Sequence, residues 1–255
     1  MSTPTNKIAL ITGGSRGLGK DMALRVAEKG LNVIITYNSN AEEAANVVAL
    51  IKENGTKAAA LQLNTGDIKS FSPFSDQLKK TLTEDFNTGH FDFLVNNAGI
   101  GGYQLIGEVT EEFFDELYNI HFKGVYFLTQ QLLPLINDGG GIVNVSSGLT
   151  RVSLPKSSAY ASMKGAVEVF TRYVAKEFGT RGIRANTIAP GAIMTDFGNG
   201  HLRSSEESQR MVSSVTALGR PGVAEDIGGV VAFLCSEEAR WVNGQRIEIS
   251  GGMLI

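Results

Sequence analysis

A single cysteine, a single tryptophan, three histidines and six prolines in 255 residues remove several chemistries at the outset. Cys235 has no partner for a disulfide within the chain, which suits a reducing compartment. In the run VVAFLC it reads as a small buried apolar residue. The histidines are scattered, and no histidine–carboxylate group has metal-ligand spacing, so no metal is expected. Charge of one sign is also missing. The 23 basic and 26 acidic side chains give a net −3, which argues against a nucleic-acid partner or a polybasic membrane contact. Long apolar runs are absent too: the N-terminus, MSTPTNKIALITGG, holds an apolar run of four residues. A secretory signal needs about 7–15 and a membrane span about 20. A soluble, cytoplasmic protein is expected. No Pro/Ser-rich linker, low-complexity block or solenoid repeat divides the chain, so residues 1–255 read as one domain.

What is present is alternation. KIALIT (7–12), LNVIIT (31–36), KAAALQL (57–63), FDFLVNN (91–97), GIVNVSS (141–147), IRANTIAP (183–190) and QRIEIS (245–250) read as strands. Most are apolar throughout, as when both faces of a parallel sheet are covered. Helical patterns lie between them at 18–29, 41–54, 74–86, 113–136, 159–178 and 223–235. The order predicts an α/β fold, a doubly wound parallel sheet of about seven strands with helices on both faces. Residues 191–222 are polar, glycine-interrupted and far longer than the usual connection of 2–6 residues. They follow a strand's carboxyl end, where α/β sheets bind ligands, and so read as a substrate-binding lid.

Glycine, at 30 residues, is somewhat rich, and four of them fall within ITGGSRGLGK, residues 11–20. The motif leaves a strand and opens a helix, which is the setting of a phosphate-binding turn. Gly13 permits the tight turn, Gly17 the approach of a phosphate, and Gly19 close packing of helix on strand. The spacing is G-x-x-x-G-x-G rather than G-x-G-x-x-G, and no Gly-Lys-Ser/Thr triplet follows, so it is not a P-loop.

TGGSRGLG resembles the T-G-x-x-x-G-x-G turn of the short-chain dehydrogenase/reductases. The likeness extends over nearly the whole chain, through NNAG (96–99), Asn119, Ser147, YASMK (160–164), APG (189–191) with Thr195, and the late VNGQRIEISGG. Within that family the chain is similar to 3-oxoacyl carrier-protein reductases and their ketoreductase relatives. The resemblance implies a Rossmann fold, a nicotinamide dinucleotide, a small carbonyl or alcohol substrate, and a homotetramer or homodimer. Its cofactor-binding turn takes in Gly13, Ser15, Arg16, Gly17, Leu18 and Gly19. Asn64 and Thr65 match the adenine site, with asparagine where aspartate is more frequent. Asn97, Ala98 and Gly99 would let the ribose lie against a strand end, and Pro190, Gly191, Ile193 and Thr195 would hold the carboxamide. An NAD enzyme usually carries an acid after the second strand. Here that strand ends in TYNSN, so Asn38 and Ser39, with the cationic fork of Arg16, favour a 2′-phosphate and hence NADP(H).

Tyr160 and Lys164 are four apart in a helical stretch and share a face. An ammonium beside a phenol pulls its pKa down from about 10, so Tyr160 is expected as general acid in ketone reduction and base in oxidation. Lys164 would also hold the ribose hydroxyls, as in the family. Ser147 would hydrogen-bond the substrate oxygen. Asn119 matches the family asparagine that positions a relay water, whereas His121 beside it has no role in the pattern and reads as packed or solvated. Gly101, Gly102, Tyr103, Leu149, Arg151 and Leu154, with Ser147 and Tyr160, are expected around the substrate. Two other readings stand beside the carbonyl reductase. A carrier-protein reductase would dock its acidic carrier on basic residues. LLPLINDGGG is acidic there, and Arg181 is the remaining docking candidate. A non-catalytic NADP(H) sensor would show a damaged tetrad.

Overall fold

Along the first strand, β1 (Ile8–Ile11), alternate side chains enter two separate cores. Ala9 and Ile11 turn to one, and Ile8 and Leu10 to the other, because successive side chains of a strand point to opposite faces. Both faces are covered. This accounts for strands that are apolar without alternation. The computed structural model describes residues 6–255. Its sheet has seven parallel strands: β1, β2 (Asn32–Tyr37), β3 (Ala58–Gln62), β4 (Phe91–Asn96), β5 (Ile136–Val145), β6 (Arg184–Pro190) and β7 (Arg246–Ile249). Their spatial order is β3-β2-β1-β4-β5-β6-β7, so the chain reverses direction across the sheet between β1 and β4. A crevice opens at the carboxyl ends of strands at such a point.

The first helices are α1 (Gly17–Glu28), α2 (Ala41–Glu53) and α3 (Phe71–Phe86), followed by α4 (Glu111–Tyr118), α5 (Gly124–Leu132) and α6 (Ser158–Glu177). After β6 come α7 (His201–Ser204), α8 (Glu206–Ser214) and α9 (Glu225–Leu234). Helices α1, α2 and α9 cover one face through Met22, Val26, Val47, Ile51, Ile227 and Val231. On the other, α3, α5 and α6 supply Phe74, Leu78, Leu82, Leu128, Leu132 and Val174. Phe74, Leu78 and Leu82 are spaced by four, one stripe of a helix.

Three expected elements differ. The helix expected over 113–136 is three pieces: α4, a π turn at Asn119–Lys123, and α5. A Cβ on Gly124 would collide with the Thr65 carbonyl oxygen, so glycine is what lets α5 cross that loop directly after the π turn. Pro134 then falls in a 3₁₀ turn, Leu133–Leu135, and strand begins at Ile136 rather than at 141. Ile136 pairs with Phe91 and Gly141 with Phe93, so the acidic Asn137–Gly140 stretch bulges out of the ladder. The segment expected to be irregular, 191–222, carries a 3₁₀ turn at Phe197–Gly200 as well as α7 and α8.

Candidate active site

The glycine turn is built by exclusion. Gly13 has φ +65°, and a Cβ on it would stand 3.0 Å from Ala98 Cα. A Cβ on Gly19 would run into the Gly13 carbonyl oxygen. These two positions let α1 sit directly on the ends of β1 and β4. Arg16, extended at φ −152°, precedes α1 without a side-chain cap, and the first turn holds no acidic residue. The free N–H groups and helix dipole therefore face outward as an anion site. The turn is tied to β2 by Gly14 N–H donating to Thr36 O at 2.9 Å, which sets Asn38 and Ser39 beside it. Arg16 is exposed, and its guanidinium makes no hydrogen bond or ion pair with the described residues.

Asn97 does more structural work than expected. Its amide donates to Thr12 O at 2.8 Å and Gly13 O at 3.2 Å, and its own N–H donates to the Thr12 hydroxyl. Ala98 N–H donates to that same hydroxyl, so β4 braces the turn. Leu18 packs against the core, which leaves its backbone for any ligand contact. Asn64 Oδ1 accepts from Gly66 N–H at 3.0 Å, and Thr65 lines the crossing of Gly124. Gly191 N–H donates to Ile249 O, Ile193 bridges to Gly222, and Thr195 lies over the turn, 3.8 Å from where a Gly17 Cβ would be. Ser15, half-buried, completes the turn.

Tyr160 and Lys164 leave α6 on one face, with the ammonium 5.6 Å from the Tyr160 ring centre. Lys164 is buried, and its Nζ donates to Val145 O at 2.8 Å. Burial alone pulls its pKa from 10.5 down to about 7. The expected depression at Tyr160 is reversed. Burial, with some help from the Tyr103 phenol, raises its pKa, and a hydrogen bond with Ser147 offsets part of the rise. The phenol is therefore held protonated at neutral pH. Ser147 Oγ accepts from Leu149 N–H at 3.2 Å, whereas Ser146 turns away to donate to Glu168 at 2.6 Å. That split between neighbours follows from strand alternation.

Beyond β4, Gly101 and Gly102 leave room where a Cβ would stand 2.8 Å from Gly198 Cα and against the Phe113 ring. The Phe197 ring lies edge-on to Tyr160, centroids 6.0 Å apart, and Tyr103 packs against Gly198. The residues after β6 thus reach back over Tyr160. Two expected pocket residues point elsewhere or outward. Arg151 is bound by Glu248 at 2.8 and 2.9 Å and by the carbonyls of Met253 and Leu254, so it anchors the C-terminal segment rather than facing substrate. Leu154 is 44 % exposed, and Leu149 is half-buried.

Asn119, expected to position a relay water, opens the π turn, where its side chain is half-exposed and hydrogen-bonds none of the described residues. Two positions on, and so on the opposite side of a helical turn, His121 is fully buried. Its ring meets Tyr160 edge-on, centroids 5.0 Å apart at 85°.

A family model described as enoyl-(acyl carrier protein) reductase matches residues 13–254. The short chain dehydrogenase mdpC of Emericella nidulans is 37 % identical over 96 % of this chain and 94 % of its own length. The chain belongs to the short-chain dehydrogenase/reductase family. Among solved structures, LugOII, a promiscuous reductase that catalyses keto-reduction at C1 during lugdunomycin biosynthesis, matches at TM-score 0.93. It is 36 % identical, with 100 % of each chain covered. The angucycline C-6 ketoreductase LanV with bound NADP matches at TM-score 0.94 and 35 % identity, covering 99 % of this chain and 97 % of that one.

In this member of the family, the support behind Ser147 is a charge network that the sequence did not announce. Glu168 on α6 accepts from Ser146, Thr150 and Arg246 at 2.6–2.7 Å. Arg246 on β7 donates also to Ser147 O at 3.3 Å and to Glu248 at 3.1 Å. Partly buried and mutually satisfied, these groups fix the turn that carries Ser147. Deeper in the sheet, Asn96 donates to Asn144 and Thr129, and Asn144 to Thr171. Their only sequence signal was polar residues inside apolar strands.

No helix of the described residues is long and apolar enough to cross a membrane, and no group of metal-ligating side chains occurs among them.

Proposed function

We propose that this chain is an NADPH-dependent ketoreductase, reducing a small-molecule ketone to an alcohol. The observation that carries the reading is a buried, protonated Tyr160 that hydrogen-bonds Ser147 and has the Lys164 ammonium beside it. The residues fit a dinucleotide phosphate: an uncapped helix start with no acid, and a cradle at Gly13 and Gly19 that any Cβ would fill. When bound, the dinucleotide supplies the hydride. Ser147, whose Oγ already accepts from Leu149 N–H, would turn its own proton from the Tyr160 oxygen to the carbonyl oxygen. Tyr160 transfers its proton to the oxygen as negative charge develops there. Lys164 lies beside the ring, placed to stabilise the phenolate left behind, and would hold the ribose hydroxyls of a bound dinucleotide. Unpaired Arg16, with Asn38 and Ser39, favours a 2′-phosphate, and the NADP bound by LanV supports the same choice.

The substrate class follows from the aromatic walls. Tyr103 and Phe197 flank Tyr160, a setting suited to a flat, ring-bearing ketone, and residues 191–222 would act as its lid. The ketoreductase relatives and the hydroxynaphthalene reductase-like protein Arp2 of Metarhizium robertsii, 36 % identical, point the same way. A carrier-protein thioester is disfavoured because Arg181 is engaged by Asp138 and by the carbonyls of Leu133 and Ile136, not free to dock an acidic partner. A sensor without turnover is disfavoured by the intact Ser147–Tyr160–Lys164 set. We further assign a homotetramer or homodimer, on the apolar Tyr126, Phe127, Val169 and Tyr173 exposed on α5 and α6, and a cytoplasmic location on the lone buried thiol.

NADPH oxidation, followed with a panel of ring ketones, aldehydes and 3-oxoacyl thioesters, tests the reading. Turnover of ring ketones is expected. Turnover of carrier-protein thioesters alone would replace it with the carrier-protein reductase.

A further inference from the structure

His121 is the third polar side chain packed at the reacting phenol, and the reading above gives it no task. It stands in the π turn, fully buried, with its ring edge-on to Tyr160. Its Nε2 lies 2.8 Å from Ile100 O and 3.3 Å from Ile100 N, at the turn that leaves β4 for the substrate side. The shorter contact is to a carbonyl, which can only accept, so the proton sits on Nε2. Nδ1 is then a bare acceptor, and it is buried without a hydrogen-bond partner. Gly99 must lack a side chain because a Cβ there would stand 2.6 Å from the imidazole Cε1. The ring is thus wedged between the β4 turn and α6, joining the Ile100 backbone to Tyr160.

We propose that His121 is a positioning residue for ketone reduction, which holds Tyr160 and the Ile100 turn in register and does so only as the neutral imidazole. The titratable groups that face it are Tyr160 and Lys164, both on α6, while the β4 turn presents the backbone of Gly99 and Ile100. Burial and the Lys164 ammonium both oppose a second positive charge, so the imidazole stays neutral until well below its ordinary range. Protonation would place a donor on Nδ1 with nothing to receive it and a cation beside Lys164. Both effects push the ring out of its place against Tyr160. Activity therefore falls on the acid side when His121 takes up a proton, while Tyr160 itself remains protonated throughout that range.

The inference rests on Tyr160 being the acid, and three substitutions separate the two claims. His121→Gln places an amide nitrogen where Nε2 stands, able to donate to Ile100 O, yet it cannot titrate. His121→Phe keeps a ring against Tyr160 and loses the hydrogen bond to Ile100 O. The phenylalanine variant is expected to lose at least tenfold in kcat with little change in KM for the dinucleotide. The glutamine variant should recover most of that loss, and the acid limb of its kcat profile should move to lower pH or vanish. Melting temperature and dinucleotide affinity, measured on the same preparations, distinguish a lost position from a lost fold. A phenylalanine variant within twofold of wild type, or a glutamine variant with the wild-type acid limb, overturns the proposal. Tyr160→Phe decides the other matter: if that variant turns over normally, the ketoreductase mechanism fails, whatever His121 does.

Discussion

Lys164 should weaken the fold that it serves. Its ammonium is buried on α6, where loss of hydration pulls the pKa from 10.5 to about 7. The unfolded chain carries the ordinary lysine value, so between pH 7 and 10.5 it holds more protons than the native state does. Below pH 7 both states are charged, and the native state bears the full cost of the buried charge. At about 1.36 kcal/mol per pH unit, the interval amounts to about 5 kcal/mol. Lys164→Met removes that cost and keeps a similar volume. It also strands Val145 O, the carbonyl that now accepts from Nζ at 2.8 Å, at a cost of about 1–3 kcal/mol.

The balance at pH 6 is a stabilisation of about 3 kcal/mol, or about 6–12 °C in melting temperature for a domain of this size. By pH 9 the cost of the lysine has fallen to about 2 kcal/mol, and the gap between variant and wild type should nearly close. Thermal melts of both proteins at pH 6 and 9, without dinucleotide, measure the two gaps. Turnover of the variant should be lost at every pH. A methionine variant that melts below wild type at pH 6, or a gap as wide at pH 9 as at pH 6, refutes the reasoning.

Removing the phenol proton while keeping the ring, Tyr160→Phe, should abolish turnover and leave NADPH binding intact; a tenth of wild-type activity would reject Tyr160 as the acid. Arg16→Ala should raise KM for NADPH about tenfold or more, since a hydrogen bond to a charged group contributes about 1.5–3 kcal/mol, and change KM for NADH little. Equal losses with both cofactors would mean that Arg16 only shapes the turn. Placing charge on the exposed α6 face with Val169→Glu and Tyr173→Asp should lower the mass measured by light scattering, and an unchanged mass would remove those residues from the interface.

What could be read from the chain was whatever repeats along it with a fixed period or a fixed spacing. Continuous apolar strands between amphipathic helices announce a covered parallel sheet, and the glycine turn announces a phosphate because each missing Cβ has a local geometric reason. Tyr160 and Lys164 were legible for the same cause: four residues on a helix are one face. Arg151, Arg181 and the Glu168–Arg246–Glu248 network were not, because their partners lie up to 103 residues away and no local pattern records the pairing.

The π turn shows the limit most sharply. Asn119 and His121 both lie in a stretch that reads as helix, and motif spacing favoured the asparagine. Leu117 is buried against α6, and His121 follows it by four residues, so the same helix face carries the imidazole to Tyr160. A regular helix would fix that from sequence alone. The π turn over Asn119–Lys123 then shifts the register of α5 relative to α4, and Gly124 crosses Thr65 O where no side chain would fit. The close crossing of Gly124 over Thr65, nearly sixty residues earlier, is a tertiary contact that no local pattern records.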